Sequence, residues 1–223
     1  MKNKEEDKPP FARNRLQYIL NLINPKKNQR VLNLGISNRP EVEMAIEDKV
    51  KECHTLDIDS KKMENASRFI KKTKIMNVDI TKPNKIKKNY YDTVIMIEVL
   101  EHLKDDQAAL KWISSVLKPS GSLIIGVPND AFLHYFNPVK YAEHERHYSN
   151  YLIKSRLREA GFQIKHFNLV ECWTLLASLY IHLFRKFILR QNRPFGIFKK
   201  TTNKTYHQYN RTGMDILIKA IKV

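Results

Sequence analysis

Disulfide chemistry is the first thing this chain does without. Cys53 and Cys172 are its only cysteines in 223 residues, and no Cys-x-x-Cys pair occurs. No disulfide framework can form, and a reducing interior is expected. Long apolar runs are scarce too. Met1 to Pro10 is charged and lacks the apolar stretch of a secretory signal. The longest apolar-rich stretch, Trp173 to Leu189, is interrupted by His182, Arg185 and Lys186, which makes it too short and too polar for a membrane span. There is no internal repeat, no low-complexity block, and no appended module with interleaved aromatic and basic residues of the kind that binds RNA. These absences leave one cytoplasmic domain with a modest extension. Hydrophobic residues at 42% suffice for its core.

Negative charge is also in short supply. Forty Lys and Arg face 23 Asp and Glu, a net charge of +17. Such a field favours acidic partners: nucleic acid, anionic lipid head groups or phosphorylated substrates. The charges are scattered rather than gathered in one run, so a lysine-coated surface explains them equally well.

Along the chain, residues 1–12 read as a disordered tail. Leu16, Ile19, Leu20 and Ile23 have helical spacing over Arg13 to Ile23, and Asn24-Pro25 stops that helix. A repeated alternation follows. Strands are predicted at Arg30–Leu34, His54–Ile58, Lys74–Val78, Tyr91–Ile97, Ser122–Val127, Phe162–Val170 and Met214–Val223. Helices are predicted at Pro40–Val50, Lys61–Lys72, Asp106–Leu117 and from a Ser149 cap to Gly161. Pro128 to Tyr148 reads as a long loop. The Tyr91–Ile97 run is apolar without alternation, which fits a central strand buried on both faces. This order means right-handed strand–helix–strand units and a doubly wound, mostly parallel α/β sheet. Ligands of such sheets sit beyond the carboxyl ends of the strands.

Those ends carry a pattern. The first strand runs into Gly35, which permits a tight turn. The second ends in Asp57, placed to accept from ribose hydroxyls, and the third in Asp79, suited to an exocyclic amine. The fourth runs into Glu98-Val99-Leu100-Glu101-His102-Leu103. Each acid has a plainer reading as a helix cap.

The order Val31-Leu32-Asn33-Leu34-Gly35, Leu56-Asp57-Ile58-Asp59, Val78-Asp79, Glu98-Val99-Leu100-Glu101-His102-Leu103 and Leu117-Lys118-Pro119-Ser120-Gly121 resembles the class I S-adenosylmethionine-dependent methyltransferases. Within them it is most similar to the small-molecule, quinone-biosynthesis-like branch. The resemblance covers about residues 28–170. It implies a Rossmann-like, seven-stranded sheet whose last strand is reversed, with residues 13–170 and 214–223 forming the domain. It implies S-adenosylmethionine as cofactor, with Gly35 and Asn33 near its methionine moiety, Asp57 at the ribose, Asp79 at the adenine and Glu98 near the sulfonium. The family's turn usually reads Asp-x-Gly-x-Gly-x-Gly. Here Asn33 replaces the acid, and Ser37 and Arg39 replace glycines. Arg39 can instead pair with the cofactor carboxylate. The same departures suit a non-catalytic protein that uses the fold as a binding module.

Methyl transfer to oxygen or nitrogen needs positioning and a proton acceptor, for which His102, His144 and His147 have the right intrinsic range. Helical spacing would put Glu98, Glu101 and His102 on one face, where with His147 or His144 they offer a mixed oxygen–nitrogen site for a divalent metal. Residues 171–213 form an insertion, read as helical. Its stretch 173–190 suits a buried or dimer-contact helix, a lid over the acceptor, or an interfacial helix with a basic end against anionic lipid. The expected acceptor is a small or lipid-linked molecule. An RNA substrate is the alternative that the charge suggests.

Overall fold

The computed structural model describes residues 10–129, 145–170 and 215–223. The expected insertion and His144 lie outside them, as does most of the expected tail. Helix α1 spans Pro10–Ile23. It starts three residues before the predicted Arg13, with a proline in the first turn, where no amide hydrogen is needed. Strand β1 (Arg30–Leu34) leads to α2 (Glu41–Ile46), β2 (Glu52–Asp57), α3 (Ser60–Ser67) and β3 (Lys74–Asn77). Then come β4 (Tyr91–Ile97), a 3-10 turn at Leu100–His102, α4 (Asp106–Val116) and β5 (Leu117–Pro128). Helix α5 (Asn150–Glu159) and the strands β6 (Phe162–Val170) and β7 (Asp215–Lys222) complete the described chain.

The strands form one sheet in the order β3-β2-β1-β4-β5-β7-β6. Strands β1 to β5 run parallel, and β7 is antiparallel to both β5 and β6. The doubly wound sheet with a reversed last strand is therefore as expected. Alternation along each strand feeds both faces. Val31, Ile95, Ile124 and Leu217 pack with Ile19 and Ile23 of α1 and Ile46 of α2. Leu32, Val94, Met96, Leu123, Ile125 and Ile218 pack with Leu110 and Ile113 of α4 and Ile153 and Leu157 of α5. β4 is buried on both faces, as its unbroken apolar run requires.

Two predicted helices are shorter than expected. The Glu47 carboxylate accepts the backbone N–H groups of Lys71, Lys72 and Thr73 at 2.9–3.2 Å. Those amides serve a side chain instead of a preceding carbonyl, so the chain after α3 is a loop, not the predicted helix to Lys72. Helix α2 ends at Ile46 rather than Val50, with Glu47 as its C-cap. Strand β5 begins earlier than predicted. Tyr91 pairs Leu117 and Thr93 pairs Ser122, so Lys118–Gly121 forms a bulge that the sequence suggested as a stop signal. Residues 61–88 hold ten Lys or Arg against two acids. They lead into and out of β3, the open sheet edge, where charge discourages pairing with another chain.

Candidate active site

The carboxyl ends of β1, β2 and β4 open on one crevice of about 980 Å³. Its floor is the turn after β1. Gly35 has φ of +84°, and a Cβ there would lie 2.5 Å from Val99 Cγ2. Only glycine satisfies both the left-handed backbone and the close approach of the turn after β4. The Gly35 N–H donates to the Leu56 carbonyl at 2.8 Å, which ties this turn to β2.

Asp57 stands at the end of β2, where its role at a ribose was expected. Its Oδ2 accepts the Ile36 N–H at 2.6 Å, and its Oδ1 accepts the Asp59 N–H at 2.8 Å. Each oxygen keeps a second lone pair for a ligand. Asp59 is instead a helix cap: its Oδ1 accepts from the amides of Lys61 and Lys62 at 3.0 and 3.1 Å. Asp79 lines the crevice beside Val78 and Ile80. Its Oδ1 accepts from the Thr81 hydroxyl and amide at 2.6 and 2.9 Å. Those bonds hold its carboxyl below the ordinary range.

Asn33 is buried below the turn. Its Nδ2 donates to the Gly35 carbonyl at 3.1 Å and to Glu43 Oε1 at 2.7 Å. Thr55 Oγ1 donates to the same Glu43 oxygen at 3.0 Å. Burial pushes the Glu43 carboxyl up, and the bonds from Asn33 and Thr55 oppose that rise. Arg39 also lines the crevice, with its guanidinium 5.9 Å from the Phe69 ring centre. Among the described residues its buried Nε has no hydrogen-bond partner. The Ser37 hydroxyl donates to the Arg39 carbonyl and so stiffens the turn.

The wall opposite comes from β4 and α1. Glu98 has φ of +54°, and its N–H donates to the Gly126 carbonyl at 2.9 Å. Its carboxylate is paired with Arg15, whose Nη2 also lies 3.2 Å from Asp215 Oδ2 at the start of β7. Sequence reading missed both Arg15 and Glu43. Arg15 stands four residues before the buried Ile19, and Glu43 three before the buried Ile46. Each therefore shares a helix face with a core residue, the one signal that pointed inward.

The segment after β4 departs from the helical face that was expected. Glu98 is left-handed and precedes the 3-10 turn, so Glu98, Glu101 and His102 do not line up at i, i+3 and i+4 of a helix. Glu98 and His102 line the crevice, whereas Glu101 is 1% exposed and, among the described residues, its Oε2 has no hydrogen-bond partner. Burial, with Glu98 and Asp215 nearby, pushes the Glu101 carboxyl up to about 8. Among the described residues, no three His, Cys, Asp or Glu gather to hold a metal ion. His147 is half-buried in the segment that returns to this turn, where the Arg146 N–H donates to the Glu101 carbonyl at 3.2 Å. Next to it, Tyr148 is buried and donates to Asp106 Oδ2 at 3.0 Å. The Nε atoms of Arg146 and Arg156 lie at 3.1 and 3.4 Å from the same oxygen, at ion-pair distance without an aligned N–H.

A parallel sheet with a reversed seventh strand, a glycine turn after β1 and acids at the ends of β2 and β4 define an S-adenosylmethionine-dependent methyltransferase. The methyltransferase domain family matches residues 6–166, and the chain belongs to that family. Its cofactor is S-adenosylmethionine. The crevice fits that group: both oxygens of Asp57 keep acceptor capacity, and the Arg39 side chain on the lining brings a cation. The fold is similar to that of a Listeria monocytogenes protein assigned as an S-adenosylmethionine-dependent methyltransferase. That comparison has a TM-score of 0.68 and 18% identity, over 95% of this chain and 98% of that one. The N-methyltransferase NodS of Bradyrhizobium japonicum is similar with a TM-score of 0.64 and 16% identity, over 97% and 98% of the two chains. A mitochondrial ubiquinone biosynthesis O-methyltransferase of Dictyostelium discoideum is 33% identical over 54 residues. That stretch is 24% of this chain and 17% of the relative's length. Among the described residues, no helix is long and apolar enough to cross a membrane.

Proposed function

We propose that this methyltransferase alkylates an oxygen or nitrogen of a small or lipid-linked acceptor. When bound, S-adenosylmethionine supplies a methyl group already activated by its positive sulfur. The chain's own task is then positioning and proton acceptance. In this reading, the Gly35 turn and Asn33 receive the amino-acid end of the cofactor. The Arg39 guanidinium would pair with its carboxylate, and Asp57 and Asp79 would accept from the ribose and the adenine amine. Glu98 stands on the sulfonium side. A histidine, His102, His144 or His147, would take the proton that the acceptor's oxygen or nitrogen gives up.

The observation that carries this reading is the meeting of two kinds of group on one crevice. Asp57, Asp79 and Arg39 line it together with Glu98 and His102. His147 does not line the crevice, but it follows Arg146, whose N–H donates to the Glu101 carbonyl beside His102, and this supports assigning both histidines to the acceptor. Both the O-methyltransferase likeness and the N-methyltransferase fold likeness fit an oxygen or nitrogen nucleophile.

Calorimetry with S-adenosylhomocysteine tests the cofactor half. Binding is expected, with at least a tenfold loss in Asp57→Ala at an unchanged unfolding midpoint in the bound-ligand-free state or a drop of only a few degrees. No heat at millimolar ligand sinks the reading. Transfer of labelled methyl from S-adenosylmethionine to a panel of phenols, amines and polyprenyl derivatives tests the other half. Label on carbon acceptors alone would refute an oxygen or nitrogen target.

A further inference from the structure

The turn after β1 has an asparagine where the family's acid usually stands, yet that asparagine is not free to rotate. Both hydrogens of Asn33 Nδ2 are committed, one to the Gly35 carbonyl at 3.1 Å and one to Glu43 Oε1 at 2.7 Å. Turning the amide over would place Oδ1 against two oxygens, so the hydrogen-bond network itself fixes which atom points where. Glu43 is held in turn. It is 2% exposed, and Thr55, fully buried on β2, donates to the same oxygen at 3.0 Å. Asn33 and Glu43 both line the crevice floor, next to Gly35. A carboxyl group at position 33 would put an oxygen where the Asn33 amide nitrogen now donates, facing both Glu43 Oε1 and the Gly35 carbonyl. The asparagine and the buried glutamate are therefore one unit. The buried carboxyl of this pair sits on α2, and the turn presents an amide oxygen.

We infer that Glu43 is a positioning residue for cofactor binding: it locks the Asn33 amide so that Oδ1 is presented to the ammonium group of the cofactor's amino-acid end. This rests on the placement of that end at the Gly35 turn under the proposed function. It makes Asn33 and Glu43 a coupled pair. A single return to the family's residue should then harm binding rather than improve it.

The test is a two-ligand calorimetric cycle on the full chain. The ligands are S-adenosylhomocysteine and 5′-methylthioadenosine, which shares the nucleoside and lacks the amino-acid end. Asn33→Asp should weaken S-adenosylhomocysteine at least tenfold and leave methylthioadenosine within threefold of wild type. Asn33→Asp with Glu43→Gln should recover S-adenosylhomocysteine to within threefold, because the new amide can donate to the new acid. Glu43→Leu should lose S-adenosylhomocysteine selectively. Unfolding midpoints run beside each titration, and the rescued double variant keeps the test valid if Glu43→Leu does not fold. Three results overturn the inference alone: Asn33→Asp binding as tightly as wild type, no rescue in the double variant, or equal losses for the two ligands. Wild-type protein that binds neither ligand overturns the cofactor placement, and this inference with it.

Discussion

Gly35→Ala is the sharpest probe of how the crevice is built. The new methyl group meets two separate penalties. The backbone at φ of +84° is left-handed, which costs an alanine about 1–2 kcal/mol. Its Cβ would also lie 2.5 Å from Val99 Cγ2, and overpacking of this kind costs about 1–3 kcal/mol. The sum is about 2–5 kcal/mol. For a chain of this length, a mid-range loss of about 3 kcal/mol lowers the unfolding midpoint by roughly 6–12 °C. Val99→Ala removes the struck methyl, so in that background only the backbone penalty of about 1–2 kcal/mol should remain. Urea unfolding of the four proteins in the cycle measures both parts. A Gly35→Ala loss under 0.5 kcal/mol would refute the geometry of the turn. An equal loss with and without Val99 would refute the contact between the two turns.

Other outcomes follow from the same structure. Tyr148→Phe removes a hydrogen bond to the buried Asp106 carboxylate, so stability should fall by about 1.5–3 kcal/mol in chemical denaturation; an unchanged midpoint would show that the hydroxyl is not holding the loop end that carries His147. Glu101 has an ordinary value of 4.5 that burial raises to about 8. Between those values the unfolded chain has lost the proton that the folded chain retains, so stability is full below pH 4.5 and falls as pH rises towards 8. Glu101→Gln should flatten that fall, by about 2–4 kcal/mol across the window, and should melt higher than wild type at pH 8. Equal slopes in thermal unfolding from pH 5 to 8 would contradict the burial of this carboxyl. The Glu47 carboxylate gathers three amides from 71–73. Glu47→Ala should therefore speed hydrogen exchange in that loop by at least tenfold, and unchanged protection there would show that something else orders it.

Much of this protein was legible from the sequence because its signals are local. An apolar run such as Tyr91–Ile97 specifies a buried strand from its own residues. Gly35, Asp57 and Asp79 fall at strand ends wherever the strands are placed. Even the reversed last strand followed from resemblance, and the antiparallel pairing of Asp215–Lys222 with β5 and β6 agrees with it. What depended on distance in the chain was not legible. Nothing at positions 15 and 98 announces that their side chains pair across 83 residues. Nothing in Lys71-Lys72-Thr73 shows that Glu47 will capture their amides and end a predicted helix. The expected helical face of Glu98, Glu101 and His102 failed because a left-handed residue at Glu98 sets the chain into a 3-10 turn, a choice made by the packing of β4 against β5 and not by spacing.

The sequence by itself determined the class of fold and the strand ends that line the crevice, since period and turn chemistry are properties of neighbouring residues. The tertiary structure decided what each polar group there is free to do. Asn33 read alone is a lost charge. Packed against Glu43 and Thr55, it is an oriented acceptor, because a buried amide must satisfy every hydrogen it carries and so has one way to point.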